Sequence, residues 1–159
     1  MERNYIECIE TSEEKDYSGR KKIIGRVFHL FPKSDGTGRA FQRYESSIAK
    51  YLIKNFSLTD KSLSFTKQRI RKFQSPLKGK VFYHAELNPF TDLFEGFWKG
   101  KTDTRAIREG RFVASIDLES RANLGKILLN IESENLMENL FRLRGIYPYS
   151  SHKTGFERL

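Results

Sequence analysis

The alternation of apolar and polar residues over short stretches most restricts how this chain can fold. In residues 112–118 every second residue is apolar, and residues 23–31 form a long run rich in β-branched and aromatic side chains. Successive side chains of a strand point to opposite faces, so such segments predict strands with one buried face. The other segments predicted as strands are residues 4–9, 81–87, 93–99 and 127–131.

Two segments have the spacing of helices instead. Within residues 39–55, Phe41, Tyr44 and Ile48 recur at intervals that place them on one helical face. A later helix is expected to begin at Ser133, because serine is a favourable N-cap residue. Since loop residues 119–125 separate two predicted strands, we expect an antiparallel hairpin before that helix.

The predicted fold is therefore α+β, a mostly antiparallel sheet of about five or six strands with two or three helices. The 159 residues fit one compact domain. We place that domain at residues 1–145 and a C-terminal tail at residues 146–159.

Cys8 is the single cysteine. It cannot form an internal disulfide, and it excludes zinc sites built from paired cysteines. No apolar run approaches the roughly 20 residues of a membrane-spanning helix. The expected location is the cytoplasm, with the nucleus or the interior of a virion as alternatives.

The positive charge of the chain, +9 in all, is concentrated in one segment of the sequence. Residues 61–80 contain seven basic residues and no acid. Residues 1–60 contain eleven basic and nine acidic residues, and residues 81–159 contain eleven of each. A concentrated positive charge attracts a polyanion, so the segment predicts a nucleic-acid-binding surface.

The secondary structure of this segment is open to two interpretations. A helix over residues 61–75 is slightly favoured, whereas a strand would align Phe65, Lys67 and Arg69 on one side. Aromatic residues interleaved with cations can stack on unpaired bases. A second basic cluster, which follows Trp98, is expected to help. The predicted nucleic-acid-binding residues are Lys61, Phe65, Lys67, Arg69, Arg71, Lys72, Phe73, Lys78, Lys80, Trp98, Lys99, Lys101, Arg105 and Arg108.

A glycine-containing loop at residues 33–39 is a candidate phosphate site. It follows a predicted strand and precedes the predicted helix, and the N-terminus of a helix attracts anions. The predicted phosphate-binding residues are Lys33, Gly36, Gly38 and Arg39. The spacing is not that of a Walker loop, and Asp-Gly is also an ordinary turn sequence.

A possible catalytic set lies on the polar faces of two predicted strands. If the strands were adjacent, His84, Glu86, Asp117 and Glu119 could converge on a divalent cation that assists phosphodiester cleavage. Alternating polar residues on the solvent-exposed face of a sheet explain the same pattern without catalysis.

The sequence thus favours a nucleic-acid-binding protein with weak sequence specificity and no cofactor. A metal-dependent nuclease using Mg²⁺ or Mn²⁺ is the enzymatic alternative. The structural alternative is a basic, matrix-type assembly protein that contacts an anionic membrane, an acidic protein or a nucleoprotein. The oligomeric state, the choice between DNA and RNA, and the choice between single and double strands stay open.

Overall fold

The computed structural model describes five stretches of the chain, residues 5–15, 17–43, 47–70, 77–102 and 106–143. Side chains are described throughout these stretches except at residues 77–79, 102 and 132–143. The five stretches form eight strands followed by one helix. The strands are β1 (Ile6–Lys15), β2 (Lys21–Pro32), β3 (Gly38–Arg43), β4 (Ile48–Leu58), β5 (Ser62–Arg69), β6 (Leu77–Asn88), β7 (Leu93–Thr102) and β8 (Ile107–Ser115), and the helix is α1 (Leu118–Leu143).

The strands form a closed antiparallel barrel in chain order, and β1 completes it by pairing with β8. The expectation of an α+β fold with five or six strands and two or three helices is therefore wrong. A closed barrel has no edge strands, so all eight strands can satisfy their backbone hydrogen bonds within the sheet. The strands expected at residues 23–31, 81–87 and 93–99 are present as β2, β6 and β7.

The helix expected over residues 39–55 is also wrong, because β3 and β4 occupy the described part of that segment. In β4, Ala49, Tyr51 and Ile53 are buried, whereas Lys50 and Lys54 are exposed. This period of two is the pattern of a strand. The helical stripe combined residues of different strands, since Phe41 lies in β3 and Ile48 in β4.

Residues 62–69 form strand β5, so the helical interpretation of residues 61–75 is wrong over that part. The strand alternative is confirmed for Phe65 and Lys67, which lie on the same side and are both buried. That side faces the barrel interior. Arg71, Lys72 and Phe73 lie outside the described residues.

The hairpin expected after residue 118 is replaced by the single helix α1, which contains both the predicted strand 127–131 and Ser133. Leu124, Ile127 and Ile131 share one helical face and are buried against the outside of the barrel, where they contact Ile9 and Val113. Burying a side chain of this size stabilises the folded state by about 1.5–3 kcal/mol. In the part of the chain that the structure describes, no helix is long and apolar enough to cross a membrane. The predicted tail at 146–159 lies outside the described residues.

Aromatic rings fill the middle of the barrel. Phe28, Phe65, Tyr83 and Phe112 are buried, and the rings of Phe65 and Tyr83 stack with centroids 4.7 Å apart. Phe112 meets Tyr83 edge to face at 5.1 Å. An eight-stranded barrel is just wide enough for side chains to fill it or for one small ligand to enter.

Candidate functional site

Two members of the predicted nucleic-acid segment lie inside the barrel. The Lys67 side chain is 4% exposed, and its Nζ lies 2.8 Å from Glu10 Oε1. Phe65 is buried among other aromatic rings. Neither side chain reaches the outer surface, so neither can contact a nucleic acid there.

The other described members of the segment do not share one face. Lys61 is exposed in the β4–β5 turn, and Lys80 is exposed near the opposite end of the barrel. Arg69 is half-buried, with its guanidinium 5.9 Å from the centre of the Tyr51 ring. The side chain of Lys78 is not among those described. The charge that is contiguous in sequence is therefore divided in space.

The predicted stacking role of Trp98 is incompatible with its position. Its side chain is buried, and its indole N–H donates a 2.8 Å hydrogen bond to the carbonyl of Thr11. The ring also covers Gly110, where a Cβ atom would lie 2.4 Å from the indole nitrogen. Trp98 thus fills the seam where β8 approaches β1.

The cations that follow Trp98 are distributed around β7 and β8. Lys99 and Lys101 are exposed, and Lys99 Nζ lies 3.9 Å from Glu109 Oε2. Arg108 is half-buried and donates to the carbonyl of Glu13. Arg105 lies outside the described residues.

The glycine loop is a hairpin turn that leads into β3, so the helix N-terminus expected after it is absent. Three of its backbone N–H groups are engaged within the turn: Lys33 donates to Thr37 O, Gly36 to Lys33 O, and Thr37 to Asp35 Oδ1. Hydrogen bonds from Thr37 hold the pKa of Asp35 below its usual value, so this carboxylate stays charged. Gly36 adopts φ of 84°, as a tight turn requires. The loop does not present a row of free N–H groups to an anion.

The four residues of the predicted catalytic set are not brought together. His84 and Glu86 lie on the outside of β6, with His84 Nε2 3.9 Å from Glu86 Oε1. Strand β7 separates β6 from β8. Asp117 is instead the N-cap of α1, where its Oδ1 accepts from Ser120 N–H at 2.8 Å. Among the described residues no three His, Cys, Asp or Glu side chains form a group able to hold a metal ion.

Four exposed cations lie on the outer face of β3 and β4, and we call them the basic wall. They are Arg39, Arg43, Lys50 and Lys54. Their neighbours in each strand, such as Ala40 and Tyr51, point into the barrel. Strands β3, β4 and β5 contain no Asp or Glu. The wall therefore presents a positive potential that no acid of its own strands reduces.

The charge count along the sequence concealed this surface. Within residues 1–60, the basic residues of β3 and β4 are offset by the acids of β1, which include Glu7, Glu10, Glu13 and Glu14. In the barrel, β2 and β3 separate β1 from β4. Only Arg39 of the basic wall belonged to a predicted site. Period-two alternation across residues 39–54 was the signal that could have identified the other three.

Aromatic side chains border the basic wall on the β2 side. Phe31 is 42% exposed and His29 is also exposed. The centroids of Phe31 and Phe41 lie 5.7 Å apart, and Tyr5 lies 5.4 Å from His29 and 5.6 Å from Phe31. In the β2–β3–β4 register, His29 is opposite Phe41, which is opposite Lys50. We call His29, Phe31 and Phe41 the β2–β3 aromatic cluster.

A second group of rings lies on the other side, beyond the uncharged outer face of β5. Phe82 and Phe97 are 43% and 36% exposed. Their centroids lie 6.2 Å apart, and the His84 ring lies 6.5 Å from Phe82 and 5.9 Å from Phe97. Lys99 Nζ approaches the Phe97 ring to 5.2 Å. We call Phe82, His84 and Phe97 the β6–β7 aromatic cluster.

Cys8 points into the barrel and His29 points outward, so the two side chains lie on opposite faces of the sheet. Burial raises the pKa of the Cys8 thiol well above its usual value, so it stays protonated at neutral pH.

Comparisons of this chain with known protein families, with curated proteins and with solved structures found no match.

Proposed function

We propose that this protein binds single-stranded nucleic acid across the outer face of β2–β7. In this proposal the basic wall holds the phosphates and the two aromatic clusters stack on the bases. The observation that carries it is the charge of Arg39, Arg43, Lys50 and Lys54, which no acid of their own strands opposes, between two clusters of exposed and half-buried rings. The barrel supplies the rigid support, since all of these residues lie on hydrogen-bonded strands or directly next to them.

The electrostatic part rests on the environment of these cations. In the described stretches of the chain, none of the four takes part in an ion pair. A phosphate that approaches them displaces no carboxylate of the described residues, and it releases the counterions condensed on the nucleic acid. By contrast, Lys67 and Arg26 are engaged by Glu10 and Glu14.

The aromatic part favours unpaired strands. Base faces are hidden in a duplex, whereas in a single strand they can stack on rings such as Phe31, Phe82 and Phe97. Stacking of this kind contributes about 1–3 kcal/mol per base and tolerates any sequence. We therefore expect weak sequence preference, and binding that needs no metal ion.

The test compares two variants of equal net charge. One replaces the basic wall, Arg39, Arg43, Lys50 and Lys54, by glutamine. The control replaces Lys15, Lys21, Lys61 and Lys126, which are exposed elsewhere on the barrel and on α1. Affinity for a fluorescent single-stranded oligonucleotide is measured over a salt series with EDTA present.

The wall variant should lose most of the affinity. The slope of log K against log salt should become shallower by up to about 3, because each of four lost phosphate contacts contributes about 0.7 to it. The control variant should change the slope far less. Equal losses in the two variants would show that net charge alone, and no defined surface, produces the binding. If anionic lipid vesicles bind as tightly as the oligonucleotide, the matrix-type alternative is favoured. If the oligonucleotide is cleaved when Mg²⁺ or Mn²⁺ replaces EDTA, the nuclease alternative is favoured.

A further inference from the structure

The first half of helix α1 has two apolar faces, and one of them does not contact the barrel. The inner face packs on β1 and β8 through Leu124, Ile127 and Ile131. A second set of apolar residues is exposed to solvent, and we call it the α1 outer stripe. Its members are Leu118, Ala122, Gly125 and Leu129.

The α1 outer stripe points away from the barrel. Successive residues of a helix turn by about 100°, so spacings of four, three and four residues keep the stripe within about 60° of arc, centred roughly 160° from the buried face. Leu118 and Leu129 are 77% and 62% exposed, and a Cβ atom added at Gly125 would have no neighbour within 4 Å. The stripe is therefore open to a second helix, and apolar stripes of this kind are the surfaces through which helices pair.

The sizes of the side chains in the α1 outer stripe suit contact with a second copy of the same helix. The two leucines lie at its ends, and Ala122 and Gly125 lie at its centre. In two antiparallel copies, Leu118 of each packs against Leu129 of the other, while the small central residues face each other. Small residues at the crossing allow the two helix axes to come close together. The stripe is thus complementary to itself in shape, as a two-fold interface requires.

The charges beside the α1 outer stripe are complementary in the same arrangement. Glu119 and Lys126 are exposed on one flank, and within the described stretches neither side chain takes part in an ion pair. Two-fold symmetry brings equal flanks of antiparallel helices together. Glu119 of each copy then lies beside Lys126 of the other, with their positions along the axis differing by about 3 Å. In a parallel pair Lys126 would instead lie opposite Leu128, which has no charge.

We propose that the α1 outer stripe is the interface of a two-fold symmetric dimer, in which the α1 helices of two copies pack antiparallel. The stripe is about 16 Å long, so the interface is smaller than that of a permanent dimer, and the two copies exchange with free monomers. Helix α1 lies beside β1, β2 and β8 and shares no residue with the basic wall on β3 and β4. The dimer therefore does not depend on the proposed nucleic-acid interface.

Sedimentation velocity of the full chain, without nucleic acid, tests the dimer at concentrations up to about 1 mM, as a small interface requires. The mean mass should rise with concentration from the 18.7 kDa of one chain towards twice that value. Leu129→Gln should weaken association by about tenfold or more, because each dimer loses two apolar contacts. Ile107→Gln is the matched control, since Ile107 is 69% exposed on β8, and it should leave association unchanged.

Reversal of single charges tests the antiparallel arrangement. Glu119→Lys and Lys126→Glu should each weaken association by up to about tenfold, because like charges then meet at both contacts of the dimer. An equimolar mixture of the two variants should associate about as tightly as the unmodified protein. Each mixed dimer again has opposite charges at both contacts.

Three results would overturn the proposal: a mass of 18.7 kDa at every concentration, equal losses for Leu129→Gln and Ile107→Gln, or a mixture that associates no more tightly than its two components. Far-ultraviolet circular dichroism verifies that each variant is folded. The substituted positions suit the test because all of them are exposed, so the fold does not depend on their side chains.

Discussion

At the scale of single residues, Lys67 has the most unusual environment. Its ammonium group is buried, paired with Glu10 and surrounded by three aromatic rings. Because the interior screens charge weakly, each member of the pair depends on the other. The alternate positions of Phe65, Lys67 and Arg69 in the sequence place them on one face of a strand. They do not show whether that face points into the barrel or outward. Lysine on a strand is usually exposed, so the sequence predicts that this face lies on the surface.

This dependence predicts a strong coupling between the two residues. Lys67→Met leaves the largely buried Glu10, whose side chain is 15% exposed, without its cation, and it should lower the free energy of unfolding by about 3 kcal/mol. The double variant Lys67→Met/Glu10→Gln should be more stable than Lys67→Met. Urea unfolding of the four proteins of this cycle measures the coupling. Additive losses would contradict the buried pair.

Asp117 gives a second prediction at this scale. Its Oδ1 accepts from Ser120 N–H at the start of α1, and that bond is the main reason why its pKa is lowered. Asp117→Ala should lower the free energy of unfolding by about 1 kcal/mol, while Asp117→Asn keeps the cap and should cost less. A lowered pKa means that the contribution is present above the unfolded-state pKa and is lost as pH falls through the folded-state value. Thermal unfolding at several pH values should show less acid dependence for Asp117→Asn than for the unmodified protein.

At the scale of elements, backbone proximity determines where side chains are tolerated. A Cβ atom at Gly38 would lie 2.5 Å from the carbonyl oxygen of Phe31, at the point where β3 pairs with β2. Gly125, on the exposed side of α1, has open space around the equivalent position. One glycine is required by strand pairing, and the other lowers the stability of its helix.

Two alanine substitutions should therefore change stability in opposite directions. Gly38→Ala should lower the free energy of unfolding by about 1–3 kcal/mol, as overpacking does. Gly125→Ala should raise it by about 0.5–1 kcal/mol. Chemical unfolding measures the stability of each variant, and titration with the oligonucleotide measures the affinity of each folded protein. Together the two measurements distinguish an effect on stability from an effect on binding. Weaker binding by Gly38→Ala at unchanged stability would return residues 33–39 to a phosphate-binding role.

At the scale of the whole molecule, the sequence predicted individual strands better than it predicted their closure into a barrel. Alternation identified β6, and a run rich in β-branched and aromatic residues identified β2. Strand β1 pairs with β8, which places Cys8 opposite Ala114. No local pattern in the sequence predicts this pairing. The candidate surface was missed for the same reason: counting charge along the chain combined the acids of β1 with the cations of β3 and β4, which the barrel holds apart.

The central claim is that the basic wall, and not the continuous segment 61–80, contacts the nucleic acid. Lysine acetylation read by mass spectrometry, with and without a single-stranded oligonucleotide, tests it one residue at a time. Lys50 and Lys54 should become protected, while Lys15 and Lys126 should react as in the free protein. Protection of Lys61 and Lys78 with Lys50 and Lys54 still fully reactive, or equal protection of all lysines, would contradict the claim.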